Sequence, residues 1–132
     1  SENTGVELGE AALIIYGPLG TGGGNEEGLS ILCTAGDFDA LITGDMNSAV
    51  EHRLVKYGNL PDIELLVAGH HGSKYSTSEE LLLETRPETA VISTGYNTYG
   101  HPAPETLERL AAAGCDIYRT DWSGTVTVTA QP

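Results

Sequence analysis

At 132 residues, 39% of them apolar, the chain suits one domain with a hydrophobic core and lacks the composition of a disordered or fibrous protein. Nineteen acidic residues against six basic ones give a formal charge of -13, a surface that repels phosphate backbones. The six cations (Arg53, Lys56, Lys74, Arg86, Arg109, Arg119) form no basic stripe along the sequence, no apolar run reaches the roughly 20 residues of a membrane-spanning helix, and no signal-peptide pattern is visible.

In chain order, which opens on Ser1 as a processed or excised piece would, residues 11–16 are a short apolar run ended by Gly17-Pro18 and read as a strand. Residues 17–28 are rich in glycine and lack a phosphate-cradling pattern, so they read as a flexible surface loop. Residues 29–34 and 39–43 predict two strands of a hairpin joined across 35–38. Ser48 and Glu51 match a capping box that opens a helix to about Tyr57, with Gly58 at its C-cap and Val50, Leu54 and Tyr57 on one face. The continuous apolar run 63–68 predicts a strand buried on both faces. Ser76 and Glu79 form a second capping box, for a helix that runs to residue 85 and is stopped by Pro87. Residues 90–93 predict another strand, and Pro104 to Gly114 a helix with Leu107, Leu110 and Ala111 on one face. Two final strands, 116–120 and 125–129, flank a predicted turn at 121–124. Alternating strands and helices after residue 40 imply an α/β fold in which a mixed β-sheet is layered with helices. Cys33 and Cys115 sit beside apolar stretches and read as two buried thiols, although a disulfide between them would suit an exported domain.

Three segments dense in functional side chains follow apolar strands: Thr43-Gly44-Asp45, Gly69-His70-His71-Gly72-Ser73, and Tyr99-Gly100-His101-Pro102. Ligands gather outside the carboxyl ends of strands in open α/β sheets, so the placement matters. A carboxylate at Asp45 can bridge two metal ions, and an imidazole at His70 or His71 suits zinc, manganese or iron. Each segment also has a plain reading: Gly-Asp is common turn chemistry, adjacent histidines point in different directions, and His101 before Pro102 fits an exposed loop. His52 falls inside a predicted helix with no partner evident in the sequence.

Taken together, in this order, the segments resemble the C-terminal half of the metallo-β-lactamase-fold domain of ComEC-type competence (DNA-uptake) proteins. The resemblance runs from Asn25 to Val128, through Leu41-Ile-Thr-Gly-Asp45, Gly69-His-His-Gly-Ser73, Val91-Ile-Ser93, Tyr99-Gly-His-Pro102, the 104–114 helix, and Tyr118-Arg-Thr-Asp121 with Gly124-Thr-Val126. It implies half of an αββα sandwich and a single, partial domain over residues 1–132. It also implies Asp45 and His70 as metal ligands, with His71 the rival of His70, and His71, Ser73 and His101 as groups that orient ligands or touch a phosphate. The implied cofactor is a divalent metal, zinc or manganese, in the intact domain. The implied activity is metal-dependent hydrolysis of a phosphodiester, with nucleic acid the implied substrate. The family's H-x-H-x-D-H motif is absent from this chain, and Ala103 stands where the family often has a second histidine. One Asp and one or two His do not hold a dinuclear site, so the chain is expected to be inactive alone and to need the N-terminal half of the domain as partner. An extracytoplasmic domain of a bacterial membrane protein, or an exported one, is the implied location, and a homodimer through an apolar sheet face is the other expected pairing. Two other readings stand beside this one: a non-catalytic regulatory half-domain that pairs with another chain, and a metal-free hydrolase built from Ser73, a histidine and Asp45. The latter lacks a G-x-S-x-G elbow.

Overall fold

A computed structural model of the chain describes residues 3–8, 11–16, 29–95, 97 and 100–129. The loop expected over 17–28 lies outside them, as does Tyr99. Among the described residues, seven strands form one sheet in sequential order: β1 (Asn3–Leu8), β2 (Ala11–Tyr16), β3 (Ser30–Ala35), β4 (Phe38–Ile42), β5 (Leu65–Val67), β6 (Thr89–Ile92) and β7 (Asp116–Arg119). β1 to β4 pair antiparallel, and β4 to β7 pair parallel. Each parallel step is crossed by a helix: α1 (Ser48–Tyr57) after β4, a tight turn (Gly69–Gly72) and α2 (Glu79–Thr85) after β5, and α3 (Pro104–Ala112) after β6. A short α4 (Thr120–Ser123) follows β7. This is the mixed, helix-layered α/β sheet expected from the alternation of elements.

The core lies on one face of the sheet. Leu32, Leu41, Leu66 and Ala90 are aligned across β3 to β6, so their side chains share that face, and Tyr16 and Ile92 join them. Against them pack Val50 and Leu54 of α1, Leu81 and Leu82 of α2, and Leu110 of α3. The opposite face carries a second apolar row in register: Ile15, Ile31, Ile42, Val67, Val91 and Tyr118. That row is half-buried to exposed and belongs to no part of the core, with Ile42 39% and Tyr118 48% exposed.

Several local expectations need correction. The strand expected over 63–68 pairs only at Leu65–Val67, and its burial on both faces is incomplete: Leu65 and Leu66 are buried on opposite faces, but Val67 is half-buried. The N-cap of α1 is Asn47, whose side chain accepts the Val50 N–H, and α2 is capped by Ser78, which accepts from Leu81. The proposed capping residues Glu51 and Ser76 are used otherwise: Glu51 is buried beneath a neighbouring turn, and the Ser76 hydroxyl donates to the Met46 carbonyl. Tyr57 is 68% exposed and leaves the core face that Val50 and Leu54 share. α2 ends on Arg86 in the left-handed conformation, before Pro87 is reached. The final predicted turn is the helix α4, and residues 125–129 form no strand. Both thiols are free and half-buried rather than buried, Cys33 on the uncovered sheet face and Cys115 donating to the Pro87 carbonyl at 3.3 Å.

Candidate functional site

The three segments meet at the carboxyl ends of the parallel strands, and glycines make that meeting possible. A Cβ on Gly69 would stand 3.0 Å from Thr43 Oγ1, and one on Gly72 would stand 2.7 Å from Pro102 Cβ. Side chains at these positions would therefore push the post-β5 turn away from the loops after β4 and β6. Backbone bonds complete the joint. The His70 N–H donates to the Gly44 carbonyl at 2.7 Å, and the Ala103 N–H donates to the Gly72 carbonyl at 2.9 Å. The Thr43 hydroxyl donates to the Val67 carbonyl at 2.9 Å, tying β4 to β5 beside the turn.

Within the turn both histidines adopt left-handed backbone, with φ of 48° at His70 and 54° at His71. For a residue with a Cβ this conformation costs on the order of 1 kcal/mol each, and such outliers collect where structure serves a site. The result is that two neighbouring imidazoles project toward one region. The His70 ring lies 5.6 Å from that of His101 and 6.4 Å from that of His71, centre to centre. His71 Nδ1 donates to the Ser93 carbonyl at 2.6 Å. That bond fixes the tautomer and leaves Nε2 as the free lone pair, the arrangement of a metal-binding imidazole. His101 has its acidity shifted so that protonation is disfavoured, chiefly by burial and then by the charges of His70 and His71.

Asp45, His70, His71 and Ser93 line a small cavity of about 140 Å3. A larger one of about 600 Å3 opens beside it, lined by His70, His71, Ser73, Lys74, Tyr75 and His101 among others. Ser73 is buried; its N–H donates to the His70 carbonyl and its hydroxyl accepts the Tyr75 N–H at 3.2 Å. The structure thus brings together all five residues singled out in the sequence. His52 is elsewhere: it pairs with Glu80 of α2 through Nδ1 at 2.8 Å, so it is not the partnerless histidine the sequence suggested.

Three residues that sequence reasoning missed hold the site in place. Asn97 brackets the His101 backbone, accepting its N–H at 3.0 Å and donating to its carbonyl at 2.8 Å. Glu51, fully buried on α1, accepts the N–H groups of Thr77 and Ser78 at 2.6 and 2.8 Å. Burial pushes its carboxyl above the ordinary range despite those bonds and the nearby Arg109. Arg109 on α3 donates to the carbonyls of Lys74, Ser76 and Thr77, each at 3.0 Å. No local motif announces the contacts of Glu51 and Arg109, whose partners lie 26 to 35 residues away; Asn97 holds a residue four positions on.

As a metal centre the site is one-sided. Among the described residues, no three His, Cys, Asp or Glu side chains are grouped closely enough to hold a metal ion. Asp45 with His70 or His71 has the right donor chemistry, yet a divalent zinc site takes about four ligands.

No protein-family model matches the chain. It is similar to segments of three larger proteins: 45% identical over 92 residues to "Competence protein ComA" of Neisseria gonorrhoeae, 34% over 103 to "ComE operon protein 3" of Bacillus subtilis, and 38% over 105 to "Recombination protein 2" of Haemophilus influenzae. The matches cover 68%, 77% and 79% of this chain and 13% of each relative. The chain is thus homologous to a small part of these proteins. Among the described residues, no helix is long and apolar enough to cross a membrane.

Proposed function

We propose that this chain is the C-terminal half of a metal-dependent phosphodiesterase domain of metallo-β-lactamase type, associated with DNA uptake, and that turnover requires the N-terminal half. The observation that carries the reading is the convergence of Asp45, His70, His71, Ser73 and His101 at the carboxyl edge of β4, β5 and β6, with two consecutive histidines in left-handed backbone. The names of the relatives, of which this chain matches 13% each, support the competence and DNA-uptake association.

In this reading Asp45 and one histidine hold a zinc or manganese ion from one side, and the partner half supplies the remaining ligands. His70 is the assignment implied by the resemblance. The Nδ1 bond of His71 to Ser93 makes His71 the better oriented of the two. A bound divalent metal would supply a hydroxide nucleophile and stabilise charge on the phosphoryl oxygens. His101, whose protonation is disfavoured by burial, is suited to donate one N–H hydrogen bond to a phosphate oxygen. Ser73, next to it in the cavity, has a hydroxyl proton to donate. The apolar row Ile15, Ile31, Ile42, Val67, Val91 and Tyr118 is the surface on which the N-terminal half of an αββα sandwich would pack. An extracytoplasmic position is the location that the resemblance to ComEC-type proteins carries into this reading.

The sparse ligand set favours one second reading: a non-catalytic half-domain that pairs with another chain. Titration of zinc and manganese by calorimetry separates the two. The 132-residue chain is expected to bind weakly. The chain joined to its upstream segment is expected to bind tightly and to hydrolyse a phosphodiester, both lost in Asp45→Ala. His70→Ala and His71→Ala identify the ligand by which of them abolishes binding. Tight binding of two ions by the isolated chain would overturn the half-domain view, and no binding by the joined protein would favour the regulatory reading.

A further inference from the structure

Lys74 and Tyr75 follow Ser73 and line the same cavity of about 600 Å3 as His70, His71 and His101. Tyr75 is 64% exposed, yet its backbone is anchored on every side. Its N–H donates to Ser73 Oγ, and its carbonyl accepts the Ser48 N–H at 2.7 Å. The carbonyls on either side, of Lys74 and Ser76, are both taken by Arg109 Nη2. With the main chain tied inward, the two side chains are turned out at the cavity mouth. An aromatic ring presented to water from a rigid turn is pre-organised for stacking, because little freedom remains to be lost on contact.

Charge points the same way. Among the described residues, Lys74 is the only Lys or Arg that lines this cavity, where Glu105 is the one carboxylate, in a chain whose formal charge is -13. Its ammonium lies 5.1 Å from the centre of the Tyr75 ring, and among the described residues no carboxylate is within ion-pair distance of it. A cation over one face of an aromatic ring, with the ring 64% exposed, matches a nucleotide unit, the base stacking on the ring and the phosphate meeting the ammonium.

We infer that Lys74 and Tyr75 form a nucleotide subsite at the mouth of the candidate site, with one base stacked on Tyr75 and the adjoining phosphate paired with Lys74. The inference deepens the phosphodiesterase reading and rests on it for its biological sense: it makes nucleic acid with unpaired bases the substrate class. Bases inside a duplex are stacked on their neighbours and unavailable to Tyr75.

The test is a fluorescence anisotropy titration of the 132-residue chain with a labelled short oligothymidylate at low salt, with duplex and deoxyribose 5-phosphate as competitors. Single strand is expected to bind more tightly than duplex or the base-free phosphate. Tyr75→Ala is expected to weaken it by roughly 5- to 150-fold, the range for loss of one base–aromatic stack, while Tyr75→Phe retains it. Lys74→Ala is expected to weaken oligonucleotide and base-free phosphate alike and to reduce the salt slope by about one. Binding of the oligonucleotide by Tyr75→Ala as tightly as by the wild type overturns the inference, as does no binding by the wild type. The phosphodiesterase reading fails separately. If the joined protein hydrolyses no diester, methyl p-nitrophenyl phosphate included, while oligonucleotide binding depends on Tyr75, that reading falls and the subsite stands. If the joined protein hydrolyses the base-free diester and Tyr75→Ala cuts single-stranded DNA as fast as the wild type, the subsite falls and the reading stands.

Discussion

Glu51 of α1 and Arg109 of α3 grip the same turn with opposite charges, the carboxylate taking the N–H groups of Thr77 and Ser78 and the guanidinium taking the carbonyls of Lys74, Ser76 and Thr77. Polar backbone groups on both sides of residues 74–78 are thereby bonded without secondary structure, which lets Ser76 and Thr77 be buried while Lys74 and Tyr75 line the cavity. Glu51→Ala should destabilise the fold by about 2–4 kcal/mol, because it leaves the N–H groups of Thr77 and Ser78 without their acceptor. Chemical denaturation measures this.

The same carboxyl gives a pH prediction. Burial raises the Glu51 pKa in the folded state above its ordinary value of 4.5. Its contribution is therefore fully present below pH 4.5 and is lost as pH rises through the raised folded value. The difference in unfolding free energy between wild type and Glu51→Gln should shift in favour of the wild type as pH falls toward 4.5 from neutrality. A pH-independent difference across that window would show that Glu51 ionises normally in the fold.

Arg109 acts through the shape of its head group. Nε and one Nη share three carbonyls and the Thr106 hydroxyl, a spread that a lysine ammonium cannot reproduce. Arg109→Lys should cost about 1–3 kcal/mol although charge is kept. Amide exchange at residues 74–77 should rise more than at β4 or β5, which the substitution does not touch.

The glycines of the Gly-His-His-Gly turn should differ in a graded way. At Gly72, φ is +81° and a Cβ would meet Pro102 at 2.7 Å, backbone and ring together, so Gly72→Ala should cost more than about 2 kcal/mol and displace His101. Gly69→Ala meets Thr43 Oγ1 at 3.0 Å, a contact a small shift relieves, and should cost less. Gly36, at φ +59° with open space around it, provides the control: alanine there pays only for its left-handed backbone, about 1 kcal/mol. Thermal melts of the three variants give the order.

Much of this architecture was legible in the sequence because it is locally encoded. Residues 11–16 form a strand over the expected span, and Pro104 starts α3 where a proline is tolerated. The clustering of Asp45, His70, His71, Ser73 and His101 was legible from segment order, since successive loops after parallel strands emerge at one edge. What escaped was non-local in the cases of Glu51 and Arg109, and for Asn97 a loop contact four residues long. Glu51 has the spacing of a capping box, but Asn47 is the better cap and frees Glu51 for a turn 26 residues on. Asn97 and Arg109 look like ordinary polar residues until the fold shows which backbone they hold. The strand expected over 125–129 failed because alternation of Thr and Val signals strand tendency, not a partner with which to pair.

The uncovered sheet face yields the last prediction. Ile42 and Val67 sit side by side at the centre of its apolar row, and Ile42 is 39% exposed. A lysine at Ile42 removes little buried contact in this chain, so Ile42→Lys should change its stability by less than about 1 kcal/mol. Its effect on association should be larger. Sedimentation velocity should show concentration-dependent self-association of the wild-type chain that Ile42→Lys abolishes, because the row is too apolar to remain free at high concentration. Joined to its upstream segment, the protein should instead lose about 2–4 kcal/mol on the same substitution, the charge now falling between two packed sheets. Equal and large losses in both forms would mean that the row is already covered within these 132 residues, and the half-sandwich view would have to be given up.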